Sequence, residues 1–248
     1  MIISEETARS AYEAFCTRRK DWVAPIGAPA EEGGQLGMYL AGARAFGGHG
    51  GLAEFTKVYN GLRKWKLFRG GQVKPTKWVF EKLACLDPGL RERRLSELDT
   101  NDWPRVCEAI WLLREVKDNA TGPSVMAISK FLHFWNPRLF VICDQAEVEQ
   151  FVFGHRWLKA EVDGMDVAHY GGNGEVAQEQ RLVEYLRVLA LASELVKANM
   201  HILMEFDRTV RCLVPGAAIP ADIGTYEATA VEWCLVGLAE MPPAGVFL

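Results

Sequence analysis

Apolar residues recur at helical spacing along most of the chain, and this pattern predicts an all-α protein. Residues 4–22 place Ala8, Ala11, Tyr12 and Phe15 on one face, behind Ser4, whose hydroxyl suits the cap of a first turn. Alternation typical of strands is weak, so we expect a multi-helix globular fold. The same spacing predicts further helices over residues 52–67, 75–86, 104–116, 125–135, 175–200, 201–214 and 226–239.

Proline and aspartate mark the expected helix boundaries. Pro75 and Pro104 suit the first turn of a helix, and Asp102 is the expected cap of the second of these. The sequences Asp87-Pro88-Gly89 and Asn136-Pro137 are expected to end the helices before them.

Residues 25–51 are so rich in glycine and alanine that we expect a mobile loop there, with a short helical piece only around residues 36–45. The 248 residues, 49% apolar and 24% charged, are enough for one sizeable core. We therefore expect one compact α-helical unit over residues 1–248, with a cleft near residues 120–150 between two lobes.

The sequence contains no leader pattern at residues 1–10 and no run near the ~18 apolar residues of a membrane span, which favours a cytoplasmic protein. Histidines are dispersed and no cysteine pair has ligand spacing, so we expect neither a metal nor another cofactor. The six cysteines are interpreted as reduced core residues: Cys16, Cys85, Cys107, Cys143, Cys212 and Cys234.

Charge is distributed unevenly although the net charge is only −4. Residues 63–94 contain ten basic and three acidic side chains, whereas residues 141–248 contain seven basic and sixteen acidic ones. A local basic stretch matters more for a nucleic-acid ligand than the net charge does. The stretch 63–78 also carries aromatic residues and glycines, which favours contact with phosphates, although a solvated helix face explains it as well. The candidate DNA contacts in it are Arg63, Lys64, Lys66, Arg69, Lys74 and Lys77.

Residues 125–152 carry the most informative pattern. A predicted helix contains Lys130 and ends at Pro137, an apolar run crosses residues 139–143, and Asp144 stands at the start of the next predicted helix. This order of parts resembles the centre of the helix-hairpin-helix DNA glycosylase superfamily, over about thirty of the 248 residues. Compared with that family, Lys130 and Asp144 are about one helical turn closer together in the sequence. Thr121-Gly122-Pro123-Ser124 stands in place of the family's glycine-rich hairpin.

The resemblance implies that Asp144 is the catalytic carboxylate and that Lys130 is the lysine found in members with lyase activity. An ionised carboxylate stabilises the positive charge that develops on the sugar and orients a water. Asp144-Gln145-Ala146-Glu147 equally fits a capping box, so Asp144 is also interpretable as a cap alone. Lys130 is a candidate for Schiff-base formation, or alternatively a solvated residue or phosphate contact.

An excised base must leave the duplex and stack on apolar side chains. His133, Trp135 and Trp157 are candidates for that pocket, and each is also interpretable as a core residue. The expected partner is double-stranded DNA bound by a monomer, with no membrane contact.

Two alternatives stay open. A module of the same fold that binds nucleic acid without catalysis is one, and Asp144 in an open cleft would argue against it. A helical ribonuclease is the other, since Arg44 and His49 fit an R-x4-H pattern, although Gly47 and Gly48 argue against a helix joining them. The departures from the family pattern motivate a hypothesis that the base is unusual or hypermodified, as in phage genomes, which would place the protein in antiviral defence as well as in DNA repair.

Overall fold

The computed structural model describes residues 2–18, 28–48, 50–65, 67, 71–117, 122–144, 175–213, 221 and 223–241. Within these residues the secondary structure is helical apart from one isolated antiparallel bridge between Val73 and Lys117. The prediction of an all-α fold is confirmed. The described helices are α1 (Glu5–Arg18), α2 (Gln35–Phe46), α3 (Gly51–Lys64), α4 (Thr76–Ala84), α5 (Pro88–Glu92), α6 (Trp103–Leu112), α7 (Val125–Trp135), α8 (Gln180–Ala198), α9 (His201–Leu213) and α10 (Glu227–Glu240). Short 3₁₀ turns lie at Ala30–Glu32, Leu95–Glu97, Glu175–Gln178 and Ile223–Thr225.

Helix α7 lies at the centre of the molecule. Every residue from Ala127 to Trp135 is buried, and the helix packs against α2, α6 and α8. A helix that is buried on all sides needs partners for each polar side chain it carries. The polar residues Ser129, Lys130 and His133 therefore all have specific partners inside the protein.

The two ends of the chain pack together. Helix α1 contacts α9 and α10, with Ala8, Ala11, Tyr12 and Phe15 buried as the sequence predicts. Gly237 on α10 permits the close crossing, since a Cβ there would stand 1.9 Å from the backbone oxygen of Ala11.

Helices α2 and α3 pack against each other, and α2 also packs against α7. A Cβ on Gly42 of α2 would stand 2.2 Å from the carbonyl oxygen of Phe134. The missing side chain thus lets α2 approach α7 at backbone distance. Among the described residues, all the buried apolar side chains except Ile142 and Val183 form one continuous cluster.

The described part of the glycine-rich segment is largely helical. Helix α2 occupies Gln35–Phe46, and seven of its residues are buried. The short helical piece predicted around residues 36–45 is thus present, one residue longer at each end. The glycines there allow close helix packing, which local propensity does not report.

Several predicted helix boundaries differ in detail from the structure. Asp102 takes the N-cap position of α6 but makes no capping bond, because Arg105 Nη1 at 2.9 Å and Arg93 Nε at 3.2 Å bind its carboxylate. Asp87 begins a helix as well as following one, since its Oδ1 accepts the Gly89 amide at 2.8 Å. Pro75 occupies the N-cap position of α4, directly before its first turn and not within it.

Other sequence predictions have mixed outcomes. Helix α7 has the predicted ends, and Ser4 Oγ accepts the Thr7 amide at 3.1 Å as the cap of α1. Cys85 and Cys212 are exposed and not in the core, whereas the other four cysteines are buried and all six are reduced. Among the described residues, no helix is both long and apolar enough to cross a membrane.

Candidate functional site

The apolar run 139–143 is not a strand, but it is buried and firmly held. His133 Nδ1 donates to the Phe140 carbonyl at 2.6 Å, Tyr185 donates to the Val141 carbonyl at 3.0 Å, and the Cys143 amide donates to Ser129 Oγ at 3.0 Å. Side chains of α7 and α8 thus satisfy the run's backbone in place of a sheet. The run delivers Asp144 to a fixed position beside α7.

Asp144 and Lys130 form an ion pair at that position. Lys130 Nζ lies 3.1 Å from Asp144 Oδ2, and the lysine side chain is 7% exposed while the aspartate side chain is 24% exposed. The carboxylate is therefore paired inside the protein and still reachable from solvent. The residues after Asp144, including the predicted capping box, lie outside the described residues.

Trp65 connects this ion pair to the basic stretch. Its ring lies 5.7 Å from Lys130 Nζ in a cation–π contact and packs edge-on against Phe134 with 5.6 Å between ring centroids. Its indole donates to the Gly33 carbonyl at 2.9 Å, which fixes the ring's orientation. The end of α3 is thereby held against the predicted catalytic pair.

Lys117 is a second buried lysine near the pair. Its Nζ donates to the Leu67 carbonyl at 3.1 Å, and its backbone pairs with Val73. Burial, and then the positive charge of Lys130, lower the pKa of Lys117 from its ordinary value. Lys130 and Lys117 therefore contact Trp65 and Leu67, which directly follow α3.

His133 lies in the core. It is fully buried, its Nδ1 is bonded to Phe140, and its Nε2 accepts from the Tyr39 hydroxyl at 3.0 Å. Burial lowers its pKa to about 4, so the ring is neutral near pH 7. Both ring nitrogens are occupied by protein groups, which gives no support to the prediction that His133 contacts a substrate.

Trp135 is also a core residue in this structure. Its side chain is 4% exposed, and its ring lies 6.1 Å from that of Phe140. The prediction that it stacks on an extruded base finds no support in this burial. Trp157 lies outside the described residues, so its predicted role stays a prediction.

The predicted DNA contacts are described only in part. Arg63 and Lys64 are exposed in the last turn of α3, directly before Trp65. Lys74 is partly buried, and Lys77 is exposed and lies 3.8 Å from Glu81. Lys66 and Arg69 lie outside the described residues.

The sequence analysis did not identify Lys117 as a residue near the site, and it assigned no specific role to Trp65. Lys117 follows the buried Val116 in a polar connection, and no periodicity distinguishes it from a surface lysine. Trp65 lies in the predicted basic and aromatic stretch, so that stretch was a usable signal. Among the described residues, no cluster of three or more histidines, cysteines or carboxylates is arranged to hold a metal ion.

The helix that carries Arg44 of the R-x4-H ribonuclease pattern ends before position 49. Helix α2 ends at Phe46, and Gly48 has a φ of 87°, which a continuing α-helix does not allow. His49 lies outside the described residues.

Comparison of the chain with protein-family models, with curated proteins and with solved structures finds no match.

Proposed function

We propose that this protein is a DNA glycosylase that removes a damaged or modified base by flipping it from the duplex. The observation that carries this proposal is the ion pair between Lys130 and Asp144, since it combines a 3.1 Å contact with a carboxylate that solvent reaches. A carboxylate sealed inside the protein would be incompatible with attack on a sugar.

In the proposed reaction, Asp144 stabilises the positive charge on the sugar as the bond to the base breaks and orients the attacking water. Lys130 fixes the carboxylate's position from the buried side, and the face of Trp65 constrains the ammonium group. The same residues that hold the carboxylate are thus connected to the end of α3.

The exposed Arg63 and Lys64 support DNA as the partner. They directly precede Trp65, whose ring contacts Lys130, so the basic end of α3 is connected to the ion pair. We expect Arg63→Ala and Lys64→Ala to weaken binding to duplexes of any sequence and to reduce the salt dependence by about one counterion each. Arg9→Ala is the matched control, because Arg9 is an exposed arginine on α1.

The decisive experiment measures base release from synthetic duplexes carrying plain, oxidised, alkylated or glucosylated-cytosine bases, followed by cleavage at abasic sites. Asp144→Asn is expected to reduce release by about 100-fold or more, because the amide provides no negative charge to the transition state. Asp207→Asn is the matched control, since Asp207 is a partly exposed carboxylate paired with Arg211 at 2.9 Å on α9.

The duplex that is cut identifies the substrate class and separates repair from defence against modified phage DNA. DNA binding without release from any duplex would favour a non-catalytic binding module of the same fold. Full release by Asp144→Asn would refute the proposed role of the carboxylate.

A further inference from the structure

The outer face of α3 carries basic and neutral polar side chains after its first turn. Between residues 55 and 64, five residues are buried against the core: Phe55, Val58, Tyr59, Gly61 and Leu62. The remaining five are exposed or half-exposed: Thr56, Lys57, Asn60, Arg63 and Lys64. Because these five recur every three to four residues, they share one side of the helix. They are here called the α3 strip, which contains three bases and no carboxylate.

Helix α1 has the same length as α3 and the opposite charge on its outer face. Both helices have 14 residues. The exposed charged residues described on α1 are Glu5, Glu6, Arg9 and Glu13, so carboxylates outnumber bases there by three to one. Exposure alone therefore does not explain the charge of the α3 strip. An excess of one sign along a helix face favours a partner of the opposite charge.

The composition of the α3 strip fits a nucleic-acid backbone better than a protein surface. The centre of a protein–protein interface is enriched in aromatic side chains and depleted in lysine, and the strip has no aromatic and no aliphatic residue. Arginine, lysine, threonine and asparagine are common ligands of DNA phosphates. From Lys57 to Lys64 the helix rises by about 10 Å, which equals the axial rise of about three phosphates on one strand. The strip is thus long enough to contact several phosphates.

We infer that the α3 strip binds the phosphate backbone of duplex DNA, with Lys57 and Asn60 as contacts in addition to Arg63 and Lys64. This inference rests on the proposed base excision and deepens it, since it assigns the helix that holds the duplex. Phosphate contacts carry no sequence information, so the strip positions the duplex and other groups select the base.

The α3 strip has a defined direction relative to the candidate site. Trp65 follows the strip directly, and its ring contacts Lys130 of the ion pair with Asp144. The Lys64 end of the strip is therefore the end nearer the ion pair, and the Lys57 end is further from it. A duplex bound along the strip has the nucleotide to be excised toward the Lys64 end.

Glu54 lies beside the α3 strip and binds one of its lysines. Its Oε1 lies 2.6 Å from Lys57 Nζ, with the lysine side chain 43% exposed and the glutamate side chain 17% exposed. The carboxylate therefore offsets part of the positive charge of the strip. Removing it should strengthen binding of a phosphate backbone, whereas removing the lysine should weaken that binding. A loss of folding would weaken binding in both variants, so opposite signs exclude that explanation.

The experiment measures the affinity for a short unmodified DNA duplex by fluorescence anisotropy at several salt concentrations. Lys57→Gln should lower the slope of log affinity against log salt by about 0.9, the value for one lost phosphate contact. Glu54→Gln should raise the affinity at low salt. Lys197→Gln and Glu194→Gln are the matched controls, since this pair on α8 has the same spacing, with 3.4 Å between its atoms and side chains 37% and 56% exposed. Neither control should change the affinity.

A second variant places negative charge in the middle of the α3 strip. Asn60→Asp should weaken duplex binding by about tenfold, because the new carboxylate repels phosphates and offsets the neighbouring bases. Ser10→Asp is its control, since Ser10 is also half-exposed and lies in the middle of α1. Circular dichroism of each variant reports whether the helices are retained.

Unchanged binding in Lys57→Gln and in Asn60→Asp, weaker binding in Glu54→Gln, or equal losses in the controls would overturn the inference. A wild-type protein that does not bind the duplex would overturn it as well. Base release, measured separately, distinguishes this failure from that of the proposed function. Release by strip variants that bind normally would leave excision standing and remove α3 from DNA binding. Binding that depends on the strip, without release of any base, would support the inference and refute excision.

Discussion

Lys130 and His133 lie about one turn apart on α7, are both buried, and have opposite surroundings. The histidine is neutral and bonded on both nitrogens inside a network that contains Tyr39, whereas the lysine is charged and bonded to a carboxylate that reaches solvent. Burial is therefore a poor guide to function on this helix. The useful distinction is whether the partner of a buried polar group is itself accessible.

The largest effect that we expect comes from disrupting the buried hydrogen bonds that join His133 to Tyr39 and Phe140, here called the inner network. His133→Ala leaves the Tyr39 hydroxyl and the Phe140 carbonyl without this partner and opens a cavity, which lowers the free energy of unfolding by about 4 kcal/mol. Urea titration measures this loss. Base release per folded molecule should change little, because His133 does not reach solvent.

The control for that variant is His201→Ala. The ring of His201 bonds to the Ile3 carbonyl from a partly exposed position, so a smaller loss is expected. If base release per folded molecule fell strongly in His133→Ala, the inner network and the accessible Lys130–Asp144 site would not be independent of each other.

The second effect is the pH dependence of stability. The pKa of His133 is about 4 in the folded protein and about 6.5 in an unfolded chain. Between these values the unfolded state binds more protons, so stability present above pH 6.5 is lost as the pH falls and no more is lost below about pH 4. The loss amounts to about 3 kcal/mol at 1.36 kcal/mol per pKa unit.

Urea titrations of the wild-type protein and His133→Gln between pH 4 and 6.5 isolate this contribution. Glutamine keeps donor and acceptor groups in the network but does not titrate, so its slope should be shallower. Equal slopes would show that His133 is not the titrating group.

The third effect concerns the accessible site. A double-mutant cycle of Lys130→Met and Asp144→Asn should give a coupling energy of about 2 kcal/mol, since one partner is partly solvated. Thermal or urea unfolding of the four proteins measures it. A coupling near zero would mean that the pair is not held together in solution.

The smallest effect should come from Trp65→Phe. This change keeps a ring beside Lys130 but loses the hydrogen bond to the Gly33 carbonyl and weakens the cation–π contact, at a cost of about 1 kcal/mol. Repeating it in the Lys130→Met background separates the two contributions. If the ring contacts the ammonium group as described, the cost should be smaller there.

The fold was predictable where local patterns agree with burial. Helix α7 has the predicted ends because its apolar run is uninterrupted and Asn136-Pro137 stops it. Asp102 shows the opposite case, because Arg105 on the same helix and Arg93 bind a carboxylate that the sequence pattern assigns to a helix cap. A nearby arginine thus competes with the helix amides for the carboxylate, which a capping pattern does not take into account.

Of the candidate site, only Lys130 and Asp144 were predictable from the sequence, through the family pattern. The structure adds that Lys130 and Asp144 are in contact, which their spacing alone does not decide. Lys117 was beyond prediction because its position depends on a bridge to Val73, a contact formed across more than forty residues. His133 was assigned two alternatives, and only its hydrogen bonds favour the core.

The packing of α1 between α9 and α10 has a consequence for synthesis of the chain. The apolar face of α1 cannot complete its packing until both α9 and α10 have left the ribosome, because these contacts span most of the sequence. During translation this face stays available to chaperones or to other nascent chains. Truncation before α10 would remove the larger of these two contacts, so shortened products should aggregate or be degraded.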